Sequence, residues 1–199
     1  FMHNDIYTTE YDVEKKFIEI IQRNRYHYSL ISSYDELKTN FRKRLNELNK
    51  EKLNGEKLTN DEFKNICIYL ENKTVFELSQ ILRTGKIDII KRDGYPVYLK
   101  LVDLEDIEKN YFEVAHQITV TGKYTGRFDV TLLINGLPFV QIELKKPGVE
   151  INQAFNQVLR YKRDGNYKGL FNFIQIFVIS NEQHTRYFAN NDTDIRKSN

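Results

Sequence analysis

A chain of 199 residues is long enough to bury a sizeable core in one large domain. With 40% hydrophobic and 29% charged residues, 13 Tyr and 13 Phe, it falls outside the disordered class. A net charge of +2 neither demands nor forbids a nucleic acid partner, so any basic surface must be local.

Taken in order, Tyr11–Arg25 puts Val13, Phe17, Ile20 and Ile21 on one face of a predicted amphipathic helix, capped by Thr8 or Thr9. Glu10 and Glu14 share a face of it, and their residue type favours solvated charges. Tyr34–Asn49 is a second predicted helix, striped by Leu37, Phe41, Leu45 and Leu48. A third starts at Thr59 and runs through Phe63–Leu70, and a fourth covers Val75–Leu82 and ends near Gly85. Cys67 is the single cysteine and lies in the third, where it reads as a buried thiol. It leaves no disulfide framework and no Cys/His zinc site, which fits a reducing cytoplasm.

From Lys86 the pattern turns to strands. Ile87–Ile90 and Pro96–Leu101 flank an Asp93-Gly94 turn, and Asn110–Thr121 follows. Phe171–Ser180 is a near-continuous apolar run, as in a strand covered on both faces, and Arg186–Ala189 reads as an edge strand. No apolar run is long enough to span a bilayer and no signal peptide is visible, so a cytoplasmic protein without membrane contact is expected. The expected organisation is a helical part over 1–85 packed on a core of sheet and helix over 86–190, with a polar tail at 191–199, all in one compact domain. The expected class is α/β (α+β), a mixed central sheet flanked by helices, with one helix crossing over between two of its strands.

The candidate chemistry lies between Gly126 and Tyr161. Asp129 sits on a predicted strand, Asn135-Gly136 makes a tight turn, and the next strand carries Glu143 and Lys145. Side chains alternate faces along a strand, so Asp129, Thr131 and Leu133 share one side, as do Gln141, Glu143 and Lys145. A two-residue Asn135-Gly136 loop would pair Ile134 with Leu137 and split the two acids between faces. A three-residue or similarly odd-length loop, pairing Leu133 with Leu137, unites them. The acid pair therefore predicts an odd loop.

Two carboxylates held close repel each other unless a cation lies between them. Oxygen ligands with open positions suit Mg2+ or Mn2+, and the carbonyl of Leu144 could join Asp129 and Glu143 on the same ion. Such an ion acidifies water and polarises a phosphate, and Lys145 could orient that water or stabilise developing charge. A solvent-facing salt-bridge pattern on an antiparallel sheet would give the same letters. The partly apolar face, with Leu133 and Phe139, weighs against it.

The helix after Lys145 and Lys146 carries Gln153, Gln157 and Tyr161 at intervals of four, with Ala154, Val158 and Leu159 free to face the sheet. Gln157 and Tyr161 could touch a nucleic acid backbone and buttress the site, and Lys146, Arg160, Lys162, Arg163 and Lys168 supply local positive charge. A solvated helix surface accounts equally well for Gln153 and for each basic residue alone. The four histidines are not clustered: His116, in a strand pattern, reads as structural, and His184 falls in a predicted loop. No P-loop, dinucleotide fingerprint or nucleophile elbow is present.

Asp129 followed by Glu143-Leu144-Lys145 resembles the PD-(D/E)xK nuclease motif, with Phe128 where proline is common. Gln157 to Tyr161 resembles the QxxxY element of its RecB-like branch. The longer strings Asn110–Gln117, Arg127–Asp129, Asn135–Pro147 and Ala154–Gln157 resemble the amino-terminal domain of HsdR, the restriction and motor subunit of type I restriction–modification enzymes. The match covers the last 90 residues or so more strongly than the helical first part.

This resemblance implies a restriction-endonuclease-like core and Mg2+-dependent endonuclease activity on double-stranded DNA. Asp129 and Glu143 would be metal ligands, Lys145 the catalytic lysine, Gln157 and Tyr161 auxiliary, and Glu14, ahead of Glu10, the acid on the first helix. It implies as partners the motor domain of a longer subunit, together with modification and specificity subunits. ATP would serve only that motor, since no Walker motif occurs here. A stand-alone PD-(D/E)xK repair nuclease and a non-catalytic DNA- or protein-binding module of the same fold are the alternatives.

Overall fold

The computed structural model describes residues 8–191. Apart from Asn191, the polar tail expected at 191–199 lies outside the described residues.

The first helix, α1 (Glu10–Gln22), opens on a capping box in which Thr9 and Asp12 exchange hydrogen bonds. Its buried residues are Val13, Glu14 and Ile18, whereas Ile20 is exposed. The expected apolar face is thus only partly turned: Val13 stays buried and Phe17 and Ile21 still pack on the core, while Ile20 turns out and Glu14 and Ile18 turn in. A two-residue strand, β1 (His27–Tyr28), follows. Three helices then form a block: α2 (Tyr34–Leu48), α3 (Asn60–Glu71) and α4 (Val75–Thr84). Ser33, Thr59 and Thr74 cap their N-termini, and Gly85 ends α4 in the left-handed conformation. Leu37, Phe41, Leu45, Ile66, Leu70 and Leu78 carry this block into the larger core.

The strands are β2 (Lys86–Arg92), β3 (Tyr95–Lys100), β4 (Phe112–Thr121), β5 (Thr125–Ile134), β6 (Leu137–Leu144), β7 (Ile176–Ser180) and β8 (Thr185–Ala189), with α5 (Ile151–Arg163) between β6 and β7. The main sheet has the order β1-β4-β5-β6-β7-β8 and is mixed: β1 and β4 are parallel, as are β6 and β7, and the other pairs are antiparallel. The helix α5 is therefore the crossover expected between parallel strands. The β2–β3 hairpin forms a separate two-stranded sheet. Only the second half of the Phe171–Ser180 run is strand, because Gly169–Phe173 coils into a 3-10 turn. Leu170, Phe171, Phe173 and Ile174 are all buried there, and a run buried on every side carries no periodicity by which strand and turn can be told apart.

On one side of the sheet α1 closes a smaller core with Val114, Val130, Ile142 and Leu144. On the other, α5 and the helical block close the larger core. The block is anchored by Glu113 of β4, which is fully buried and accepts hydrogen bonds from Ser29, Asn40 and Arg44. The Arg44 guanidinium also lies 3.5 Å from the centroid of the Tyr111 ring.

Candidate active site

The Asn135-Gly136 turn is a strict two-residue loop pairing Ile134 with Leu137, with φ of 51° and 78° at its two residues. The odd loop expected from the acid pair is therefore wrong. The acids still meet, because the register shifts further along: Leu133 pairs with Pro138, but Leu132 pairs with Val140. Phe139 is the extra residue of a β-bulge, next to a proline that has no N–H to give the ladder. One inserted residue restores the parity that the turn removes, so Val130 faces Ile142 and the same register brings Asp129 opposite Glu143. The turn itself is held rigidly. Asn135 is buried and bonds to Leu101, Asn110 and Tyr111, and a Cβ on Gly136 would come within 2.6 Å of the Phe41 backbone.

A second irregularity lies at Asp129. The β4–β5 ladder pairs His116 with Val130 and Ile118 with Phe128 but skips Gln117 and Asp129, and Gln117 has a φ of 57°. The strands change faces there. Val114 and Val130 belong to the smaller core, yet Ile118, Val120 and Phe128 belong to the larger one.

The site gathers at this point. Asp129 is 8% exposed, Glu143 0%, Lys145 8% and Glu14 5%. Asp129 Oδ2 accepts the Leu144 N–H at 2.8 Å. Glu143 accepts from Gln141 Nε2 at 3.0 Å and from Gln157 Nε2 at 2.7 Å, and Thr131 Oγ1 donates to Gln141 Oε1 at 2.7 Å. Lys145 follows the end of β6, where its N–H donates to the Ser180 carbonyl and its amine lies 3.5 Å from Glu10 Oε2. Gln117 Nε2 donates to Glu14 Oε2 at 2.6 Å. Glu14 is thus a buried member of the site rather than the solvated charge its residue type suggests, while Glu10 pairs with Lys145 at the rim.

The acids resist ionisation. Burial first, and then the charge of Asp129, push the Glu14 carboxyl up to about 7. Burial raises Asp129 against the pull of the Leu144 N–H and Lys145. Glu143 is pushed well above the carboxylate range by burial and then by Asp129. Four acids, Glu10, Glu14, Asp129 and Glu143, sense one another here against two cations, Lys145 and Arg127. With all four acids ionised the cluster would carry two uncompensated negative charges, which one divalent ion would balance. Among the described residues no group of three or more His, Cys, Asp or Glu side chains is placed to hold a metal ion. Two acids on neighbouring strands are an open site, which leaves room for substrate.

On α5, Ala154, Val158 and Tyr161 turn inward and Gln153 is exposed. Tyr161 packs on Phe128 in an edge arrangement. The Tyr161 hydroxyl donates to the Arg127 carbonyl at 2.8 Å and accepts from Gln157 at 3.2 Å. Lys146, Arg160 and Arg163 are exposed; Arg163 lies 3.6 Å from Asp164. Lys162 instead reaches the Asn191 carbonyl at 3.1 Å and lies over Phe177, on the β7 side of the helix. His116 is structural, bonded through Nδ1 to the Tyr28 hydroxyl at 2.8 Å.

Gln117 and Gln141 are site residues that sequence reasoning did not single out. Period-2 alternation with Glu143 was enough to find Gln141, whereas nothing local marks Gln117.

A mixed sheet with a crossover helix and an acid–acid–lysine set at the end of its central strands defines a restriction-endonuclease-like α/β domain. The family described as type I restriction enzyme R protein N terminus matches residues 7–196, and the chain belongs to it. Similar proteins include the SsaAORF53P endonuclease subunit of a type I restriction enzyme from Staphylococcus saprophyticus, 44% identical over 97% of this chain, and the SauMSSORF170P subunit from Staphylococcus aureus, 44% identical over 96%. The EcoprrI endonuclease subunit from Escherichia coli is 35% identical over 92%. The chain spans 20% of each staphylococcal relative and 59% of the Escherichia coli one. Among the described residues no helix is long and apolar enough to cross a membrane.

Proposed function

We propose that this domain is a Mg2+-dependent endonuclease that cleaves double-stranded DNA as the nuclease part of a type I restriction enzyme R subunit. The observation that carries this reading is the convergence of Asp129, Glu143 and Lys145 at a break in the sheet, with Gln157 bonded to Glu143. Asp129 and Glu143 would hold the ion, Mg2+ or Mn2+, with the Leu144 carbonyl as a third donor. When bound, it supplies charge neutralisation at the scissile phosphate and acidifies water.

The chain's own groups do the rest. Gln141 and Gln157 fix both oxygens of Glu143 from two sides, so the carboxylate cannot rotate away. The Leu144 N–H fixes Asp129 in the same way. Glu14, with its carboxyl up at about 7, can take a proton near neutral pH. The Lys145 ammonium, held beside Glu10, lies at the mouth and stabilises negative charge growing on the phosphate oxygens. Lys146, Arg160 and Arg163 supply backbone contacts to the duplex. The relatives are named endonuclease subunits of type I restriction enzymes, which supports work within a multi-subunit assembly; modification and specificity subunits, an ATP-driven motor domain and a cytoplasmic setting belong to the same proposal.

The test is cleavage of unmodified plasmid DNA by the assembled enzyme with Mg2+ and ATP, comparing wild type with Asp129→Ala and Lys145→Ala. Each variant should cut at least about a hundredfold more slowly. Undiminished cutting by both ends this assignment.

A further inference from the structure

The Tyr161 hydroxyl is fully committed inside the protein. A phenol has one proton to give and two lone pairs to receive with. Here the proton goes to the Arg127 carbonyl at 2.8 Å, and the lone pairs take the Gln157 amide at 3.2 Å and the Arg127 N–H at 3.4 Å. No capacity remains for a substrate, so Tyr161 cannot be a DNA contact through this group. What it holds is the backbone of Arg127, by both polar groups of one residue. Its ring also lies flush on Gly126, where a Cβ would come within 2.5 Å of Tyr161 Cε1.

The side chain positioned in this way is exposed and lines a groove of about 690 Å³ together with Tyr124, Arg160, Asp164 and Asn166. Arg127 makes no ion pair within 4 Å among the described residues, and it stands on β5 two residues before Asp129, near enough for Glu14 to sense its charge. Arg160 lies 5.4 Å from the centroid of the Tyr161 ring and is likewise exposed. Asp164, the one acid of the groove, has Arg163 at 3.6 Å. Two guanidiniums flanking one groove suit a phosphodiester, which each can meet with paired N–H donors.

We propose that Arg127 and Arg160 form a subsite for the DNA backbone beside the carboxylates, and that Tyr161 is the positioning residue that sets Arg127. This rests on the nuclease reading for the identity of the ligand. It gives the QxxxY tyrosine a role that neither metal binding nor direct DNA contact provides.

The experiment is fluorescence anisotropy of a short blunt duplex titrated with the chain in EDTA, over a series of salt concentrations. Arg127→Gln and Arg160→Gln should each weaken binding about tenfold or less and lower the slope of log K against log salt by about 0.9. Arg127→Lys should keep the slope. Tyr161→Phe keeps the ring on Gly126 but loses the hydroxyl; it should weaken binding, and combined with Arg127→Gln it should add nothing. A merely structural tyrosine would lower the melting temperature and leave the slope unchanged, which overturns the positioning role. Wild-type affinity and slope in both arginine variants, or no duplex binding by the chain at all, overturns the subsite. EDTA prevents cutting, so the two readings fail separately: undiminished cleavage in both Asp129→Ala and Lys145→Ala sinks the nuclease assignment and leaves these slopes as they are.

Discussion

Gln157 Nε2 donates to Glu143 Oε2 across 2.7 Å, and through that bond α5 holds a carboxylate that belongs to β6. A ligand oriented by an outer partner binds its ion better because the ordering is done beforehand. Replacing Gln157 with Ala should raise the Mg2+ concentration for half-maximal thermal stabilisation by about 10- to 100-fold. Differential scanning fluorimetry across a Mg2+ titration reads this directly. An unchanged midpoint would show that the bond orients nothing of consequence.

The acid cluster makes stability depend on pH in a definite direction. Glu14 and Glu143 bind protons more tightly folded than unfolded, since burial raises both. Their contribution is full below the ordinary glutamate value of 4.5 and is lost as pH rises through the folded value, about 7 for Glu14. In EDTA the melting temperature should therefore fall between pH 5 and 8, and Mg2+ should remove much of that fall. Glu143→Gln, which mimics the protonated acid, should melt higher than wild type at pH 8 in EDTA. A flat pH profile would contradict the buried acid pair.

The bulge makes a sharper prediction. Inserting one residue between Val140 and Gln141 breaks the parity that the bulge at Phe139 sets, so Glu143 would exchange faces with Ile142 and Leu144. Two apolar side chains would then enter the polar face and a buried acid the smaller core. The cost should exceed about 4 kcal/mol, enough to abolish cooperative unfolding. Far-ultraviolet circular dichroism during urea titration is the measurement. A stable, cooperative insertion variant would refute the parity given to this strand.

Away from the site, Arg44→Ala should destabilise the chain by about 3–5 kcal/mol, because it strips a buried charge partner from Glu113. Ser29 and Asn40 still donate to Glu113, which favours the lower end of that range. Arg44→Met with Glu113→Leu should recover most of the loss in chemical denaturation. If the double variant is no better than Arg44→Ala, the penalty is not an unpaired charge.

Much of this was legible in the residues. Thr59, Thr74, Gly85 and Asn135-Gly136 mark element ends by local chemistry, and local chemistry survives folding. The acid–acid–lysine set was legible through its pattern. The means of uniting it was not, because parity can be restored at the loop or anywhere along the strand, and a bulge at Phe139 leaves no periodic trace. The left-handed Gln117 was equally silent, being a non-glycine held there by tertiary contacts. Glu14 read as solvent-facing because residue type predicts exposure, and only the packing of α1 on the sheet reveals its burial. The two-residue β1 is too short to carry any pattern.

The change of faces at Asp129 also bears on redesign. Phe128 belongs to one oily volume and Val130 to the other, so a single acidic side chain stands in the partition between them. Swelling either compartment presses first on that carboxylate. A thermostable variant sought by filling the interior should be built far from residues 128–130, since volume added there is taken from the geometry of the site.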